Sequence, residues 1–245
     1  MFDAYKSELF PTAGWGSPND RHGEANRDLS LPAGTLVFSA DNHLELAEDI
    51  WYRKFPARLK DKAPRVWEKD GVIHVGVDGK SFLPEAFTVV IKHYGEVGGY
   101  GSLGMDARMK DLDDEGMDKE LVFPNAMLAL LNYPDLEVRE LCFRIYNEYL
   151  AGLQERYPGR FYGVGLINWW DAAGARRTLD ELKALGLKTH LLPLNAGLGA
   201  DGVKIDYAGT RMTPVWEEIE ASGIPIAHHV GETVALPCEF NRMTV

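Results

Sequence analysis

Asp41 and His43 leave the end of a short apolar run, Thr35-Leu-Val-Phe-Ser-Ala40, which reads as a buried strand. Residues two apart in an extended chain point to the same side, so these two side chains can converge on one object. A carboxylate beside an imidazole is a donor set that a divalent metal ion takes. Taken alone, the pair also fits an Asp that caps the next turn and a His that packs on the surface. A second candidate stands far downstream in Ile224-Pro-Ile-Ala-His-His-Val230, another apolar run. Alternation places His228 and His229 on opposite faces. His229 lies nearer the strand's exit, so it is the one assigned to a site, with His228 packed against a helix.

Several elements must position these residues. Strands are expected near residues 35, 119, 161, 188 and 224. Between them, helices are expected over Arg108–Met117, Pro134–Tyr157 and Ala172–Leu185, with a last one from Thr213 to Gly223. The longest has Val138, Cys142, Ile145 and Tyr149 at spacings of three and four, an apolar stripe for one buried face. Gly186 stands where a helix C-terminal cap belongs. Thr213-Pro214 reads as a side-chain cap followed by a first-turn proline. Strand and helix alternate through short connections, which predicts βα units and a parallel sheet. The fold class is therefore α/β, with five βα units countable and an insertion after the first strand. In a TIM-type (β/α) barrel, one such arrangement, catalytic side chains project from the carboxyl ends of the strands. The candidates there are Asp41, His43, Asn125, Asn168, His190, Asn195, His229 and Glu232. His190 sits early in its strand and is read as a core residue or one standing behind the site.

Residues 1–33 form an irregular arm, and 34–245 the barrel portion, including a cap-like insertion over 44–105. The insertion holds a hairpin signal around Asp78-Gly79 and an aromatic set, Trp51, Tyr52, Phe55, Trp67, Phe82 and Phe87. These rings must be buried somewhere, and the carboxyl-terminal face of the barrel is the expected place. His22 in the arm reads as a solvated side chain and His74 as a sheet residue. The Gly-dense stretch 97–104 matches no phosphate-binding spacing and reads as a loop.

The formal net charge of −11 is not offset by any local cluster of Lys and Arg. Nucleic acid and anionic membranes are bound mainly through positive charge, so neither is an expected partner. No apolar run approaches the ~18 residues of a membrane span, and the first residues do not read as a secretory signal. A cytoplasmic protein is expected. Cys142 and Cys238 are the two cysteines, too few for a disulfide framework or a Cys-rich zinc site.

Five blocks in order carry a resemblance: Ser39-Ala-Asp-Asn-His-Leu-Glu45, Arg108-Met-Lys-Asp-Leu-Asp-Asp-Glu-Gly116, Leu121-Val-Phe-Pro124, Ile145-Tyr-Asn-Glu-Tyr-Leu150 and Ile224-Pro-Ile-Ala-His-His-Val-Gly231. From about residue 35 onward the chain resembles the amidohydrolase-related family. That family is a branch of the metal-dependent amidohydrolase superfamily and includes amino-carboxymuconate-semialdehyde decarboxylase and resorcylate-type decarboxylases. The resemblance implies a (β/α)₈ barrel with Asp41, His43 and His229 as metal ligands, Asp41 and His229 also serving catalysis. The ion it implies is Zn²⁺ first and Mn²⁺ second. It also implies an Asp on an eighth strand, which has no counterpart before Val245. The sequence thus reads as the front portion of a longer enzyme, inactive without its late strands.

The expected function is that of a hydrolase using metal-activated water on a small organic substrate. The alternatives are a metal-dependent, non-oxidative decarboxylase of an aromatic or unsaturated acid, and a barrel relative that binds metal without catalysis. A small molecule is the expected partner, and a homo-oligomer is compatible with the sequence.

Overall fold

A computed structural model of the chain describes residues 31–44, 50–77, 80–81, 104–124, 130–131, 133 and 135–229. In chain order the elements are β1 (Phe38–Leu44), α1 (Ile50–Lys54), β2 (Arg65–Lys69), β3 (Val72–Val77), β4 (Lys80–Ser81), α2 (Gly104–Asp114) and β5 (Lys119–Pro124). They continue with α3 (Leu136–Arg156), β6 (Phe161–Leu166), α4 (Ala172–Ala184), β7 (Thr189–Leu191), α5 (Thr213–Ser222) and β8 (Ile226–Ala227). One sheet runs β1-β5-β6-β7-β8, with every pairing parallel, and curls into a half-barrel. A smaller antiparallel sheet runs β2-β3-β4.

The helices cover the convex side of the large sheet. Cys142, Tyr146 and Leu150 of α3 are fully buried, together with Val122, Val164 and Leu166 of the strands. Two glycines of β6 mark how closely helix and sheet approach. A Cβ on Gly163 would lie 2.7 Å from Leu150 Cδ1, and one on Gly165 would lie 2.7 Å from Leu182 Cδ2 of α4. Both glycines therefore face the helices, and their neighbours Tyr162, Val164 and Leu166 face the concave side. α3 opens on Asp135, whose carboxylate accepts from the Val138 N–H, and α4 on Asp171, which accepts from the Gly174 N–H. α5 stops at Gly223 in the left-handed conformation, φ 67°, where a side chain would be strained.

Several boundaries differ from expectation. α2 starts at Gly104 rather than Arg108, because its buried stripe begins with Met105 and continues through Met109 and Leu112. Thr213 is not a side-chain cap. A 3₁₀ turn over Thr210–Met212 runs straight into α5, and Thr213 already has helical angles. β1 begins at Phe38 rather than Thr35, although the Val37 carbonyl still accepts from the N–H groups of Asp118 and Lys119. β2 was not foreseen, since Trp67 stands among charged residues. The hairpin is present as β3 and β4, pairing Val77 with Lys80, and Asp78-Gly79 lie outside the described residues.

Within the insertion, Trp51 and Phe55 enter the main hydrophobic core. Residues 50–62 run alongside α3, where Lys54 pairs with Glu148, Arg58 with Glu137 and Lys62 with Asp135. Phe82, Phe87 and the Gly-dense stretch up to residue 103 lie outside the described residues, as does the arm up to residue 30.

Candidate metal centre

β1 and β5 deliver the first part of the site. Their register matches Ser39 with Glu120 and then Asn42 with Val122, so β1 carries one residue more than β5 across this step. Val122 is matched in turn with Gly163, which faces the helices, so Asn42 faces the helices as well. His43, matched with Phe123, then points to the concave side. Without the extra residue His43 would be matched with Pro124 and would turn toward the helices, Asp41 with it. The bulge thus aims both side chains, a role that bulges near functional sites commonly have.

β8 delivers the second part. His229 stands just past that strand, after His228, and its Nε2 lies 3.1 Å from Asp41 Oδ1. His43 Nε2 lies 3.8 Å from the same oxygen. One donor atom from each of Asp41, His43 and His229 falls within 4.8 Å of the others. Two donors on one zinc ion, at ~2.0–2.2 Å and a tetrahedral angle, are about 3.3–3.6 Å apart. The observed spacings bracket that value, and two imidazoles with one carboxylate fit a divalent ion.

Hydrogen bonding orients the His43 ring. Its Nδ1 lies 3.3 Å from the Pro124 carbonyl, which only accepts, so Nδ1 carries the proton and Nε2 turns its lone pair toward Asp41 and His229. Burial, and then the neighbouring His229, hold the His43 pKa below that of a free imidazole, while the Pro124 bond and Asp41 pull the other way. The net effect keeps the ring neutral, the form that binds metal. The two His rings meet edge to face with centroids 4.6 Å apart, and Phe123 lies 4.9 Å from His229. The site is half open: the side chain of Asp41 is 71% exposed, that of His229 14%.

The other candidates do not join this cluster. His228 turns away, with its Nδ1 2.8 Å from the Leu192 carbonyl, as alternation requires. His190 is fully buried on the helix-facing side of β7, matched with Gly165. Neither of its ring nitrogens has a hydrogen-bond partner among the described residues. Burial pushes its pKa down to about 4, with His228 adding to the effect. Asn168 is structural: it donates to Glu140 and Asp171 and accepts from the Trp170 N–H. Asn195 accepts from the Gly197 N–H in its own loop. Asn125 and Glu232 lie outside the described residues.

Two residues had no site role in the sequence reading. Phe123 supplies an apolar wall beside His229. Glu120 is a fully buried carboxylate at the head of the apolar run Leu121-Val-Phe-Pro124. That charge in a buried run was the one available signal. A cleft of about 400 Å³ also opens beyond β6 and β7, lined in part by Trp170, Asp201, Lys204 and Arg211, and it contains none of the three clustered residues.

The family model described as amidohydrolase matches residues 99–243, more than half of the chain. This chain belongs to the amidohydrolase family. The match includes His229, whereas Asp41 and His43 precede it. The resemblance read from the sequence blocks is thereby borne out at the level of the family.

Solved structures with a similar fold include the amidohydrolase map2389c from Mycobacterium avium subsp. paratuberculosis K-10, at 17% identity and a TM-score of 0.61, covering 82% of this chain and 60% of that one. A 2,6-dihydroxybenzoate decarboxylase in complex with 2,6-dihydroxybenzoate matches at 20% identity and a TM-score of 0.52, covering 80% of this chain and 50% of that one. The 5-carboxyvanillate decarboxylase LigW from Sphingomonas paucimobilis matches at 18% identity and a TM-score of 0.50, with coverage of 79% and 51%. At these identities the likeness shows a shared fold. This amidohydrolase-family chain spans 50–60% of the length of those structures. No curated protein sequence matches it. Among the described residues, no helix is long and apolar enough to cross a membrane.

Proposed function

We propose that this amidohydrolase-family chain carries the metal centre of a non-oxidative decarboxylase acting on an aromatic carboxylic acid. The observation that carries the reading is the convergence of Asp41, His43 and His229 at donor spacing on the concave side of the sheet. Two relatives in fold are a 2,6-dihydroxybenzoate decarboxylase and a 5-carboxyvanillate decarboxylase, which favours loss of CO₂ over the hydrolysis that the family name first brings to mind.

Asp41 would supply a carboxylate oxygen, and His43 and His229 would each supply a ring nitrogen. Zn²⁺ suits this set first and Mn²⁺ second. An ion held by these three residues would supply positive charge, to hold the carboxylate and an adjacent oxygen of an acid or to lower the pKa of a water molecule. Phe123, beside His229, gives the flat ring of such a substrate an apolar surface. The exposed side of Asp41 leaves a route for the substrate to enter. The bond from His43 Nδ1 to the Pro124 carbonyl keeps that donor from turning as substrates come and go.

Hydrolysis is the second reading, favoured by map2389c, the amidohydrolase with the higher TM-score of the three. The deciding experiment incubates the metal-loaded protein with 2,6-dihydroxybenzoate and related hydroxybenzoates, measuring CO₂ release, and in parallel with esters, lactones and amides. Metal-dependent CO₂ release that is lost on His229→Ala supports the proposal. Hydrolysis of an ester, lactone or amide without CO₂ release from any acid overturns it in favour of the second reading.

A further inference from the structure

We infer that Glu120 is a positioning residue that sets the direction of Asp41 and His43. The inference rests on the reading of those two residues as metal ligands. Glu120 sits in β5 on the side that faces the helices and is 0% exposed. A carboxylate is costly to bury unless it is paired and fully hydrogen-bonded, and here it is both. Arg108 of α2 grips it with two nitrogens, Nε donating to Oε1 at 2.8 Å and Nη2 to Oε2 at 2.7 Å. A third donor then reaches Oε2: the Asn42 side chain, at 2.7 Å.

Asn42 stands between Asp41 and His43, directly after the extra residue of β1. That bulge turns the two flanking side chains to the concave side. Bulges are local interruptions of the ladder, and a strand can relax out of one by slipping by a residue. Slippage here would send Asp41 and His43 toward the helices. The bond to Glu120 opposes it, because Asn42 reaches this carboxylate only from the helix-facing side. Arg108 in turn holds the carboxylate in place, through a fork geometry that matches its two oxygens. The chain from α2 through Glu120 to Asn42 is therefore a brace behind the site, and it touches neither substrate nor metal.

The test uses the chain with Zn²⁺ and with Co²⁺ as probes. Apparent Zn²⁺ affinity is measured by chelator competition, the Co²⁺ visible spectrum reports coordination geometry, and thermal unfolding of the metal-free protein reports folding. Asn42→Ala removes only the last link, at a half-exposed position, and leaves the Arg108–Glu120 pair intact. Its expected outcome is Zn²⁺ binding weakened by about 10–100-fold, the range for partners that orient ligands. An altered Co²⁺ spectrum and an unfolding temperature close to wild type should accompany it. Glu120→Gln should show the same binding defect, and if it fails to fold, Asn42→Ala decides alone. Wild-type affinity and an unchanged Co²⁺ spectrum in Asn42→Ala overturn the brace. Binding that ignores Asp41→Asn and His229→Ala gives a different result: it overturns the three-ligand reading on which the brace rests.

Discussion

Asp41 and His229 stand 188 residues apart in the chain, and their side chains meet at 3.1 Å. Only the curl of the parallel sheet from β1 round to β8 brings them together. His43 joins them from the same strand as Asp41, with its ring already held by the Pro124 carbonyl.

The first prediction concerns linkage between metal and stability. A ligand present at a hundredfold excess over its dissociation constant stabilises the folded state by about 2.7 kcal/mol. Zn²⁺ should therefore raise the unfolding temperature of the wild-type chain, and a chelator should reverse the rise. His229→Ala and Asp41→Asn should each abolish most of that increment. Differential scanning calorimetry with and without Zn²⁺ checks it, and an equal increment in all three proteins would place the ion elsewhere.

His228 serves as the internal control. It bonds to the Leu192 carbonyl rather than facing Asp41. His228→Ala should leave Zn²⁺ affinity within about twofold of wild type while costing roughly 1 kcal/mol for the lost hydrogen bond. Isothermal titration with Zn²⁺, read beside urea unfolding, separates the two effects. A loss of binding equal to that of His229→Ala would reverse the assignment.

His190 predicts a pH dependence. Its folded pKa is pushed down to about 4, while an unfolded chain restores the ordinary imidazole value near 6.5. Between those values the unfolded state binds more protons, so the stability is fully present above pH 6.5 and is lost as the pH falls toward 4. The full extent is roughly 3 kcal/mol. His190→Leu, which removes two ring nitrogens that have no partner among the described residues, should be no less stable at pH 7 and should lose less stability between pH 6.5 and 4.5. Urea unfolding at several pH values tests this, and identical slopes for the two proteins would count against it.

Gly165 predicts a packing limit. Its missing Cβ would lie 2.7 Å from Leu182 Cδ2 and 3.3 Å from Leu187 Cδ1, both in the fully packed layer between sheet and helices. Gly165→Ala should destabilise the fold by about 1–3 kcal/mol through overpacking, with metal affinity unchanged. Chemical denaturation would detect it, and a neutral effect would mean that the leucines repack freely.

Much of this architecture was legible locally. The βα alternation, the stripe of α3 and the glycine that ends α5 are consequences of side-chain periodicity and backbone freedom, which act within a few residues. Alternation also separated His229 from His228, and the mixed carboxylate and imidazole of Asp41 and His43 announced their chemistry. Other features depend on partners distant in sequence. The bulge opposite Leu121 exists only in the pairing of β1 with β5, and no pattern in β1 alone contains it. The bond from Asn42 to Glu120, the grip of Arg108 and the Pro124 carbonyl behind His43 all join residues that chain order leaves apart. The sequence by itself determined which residue types reach the ends of the strands. The tertiary structure decided which way they face, because direction in a sheet is set by register, and register is a property of two strands.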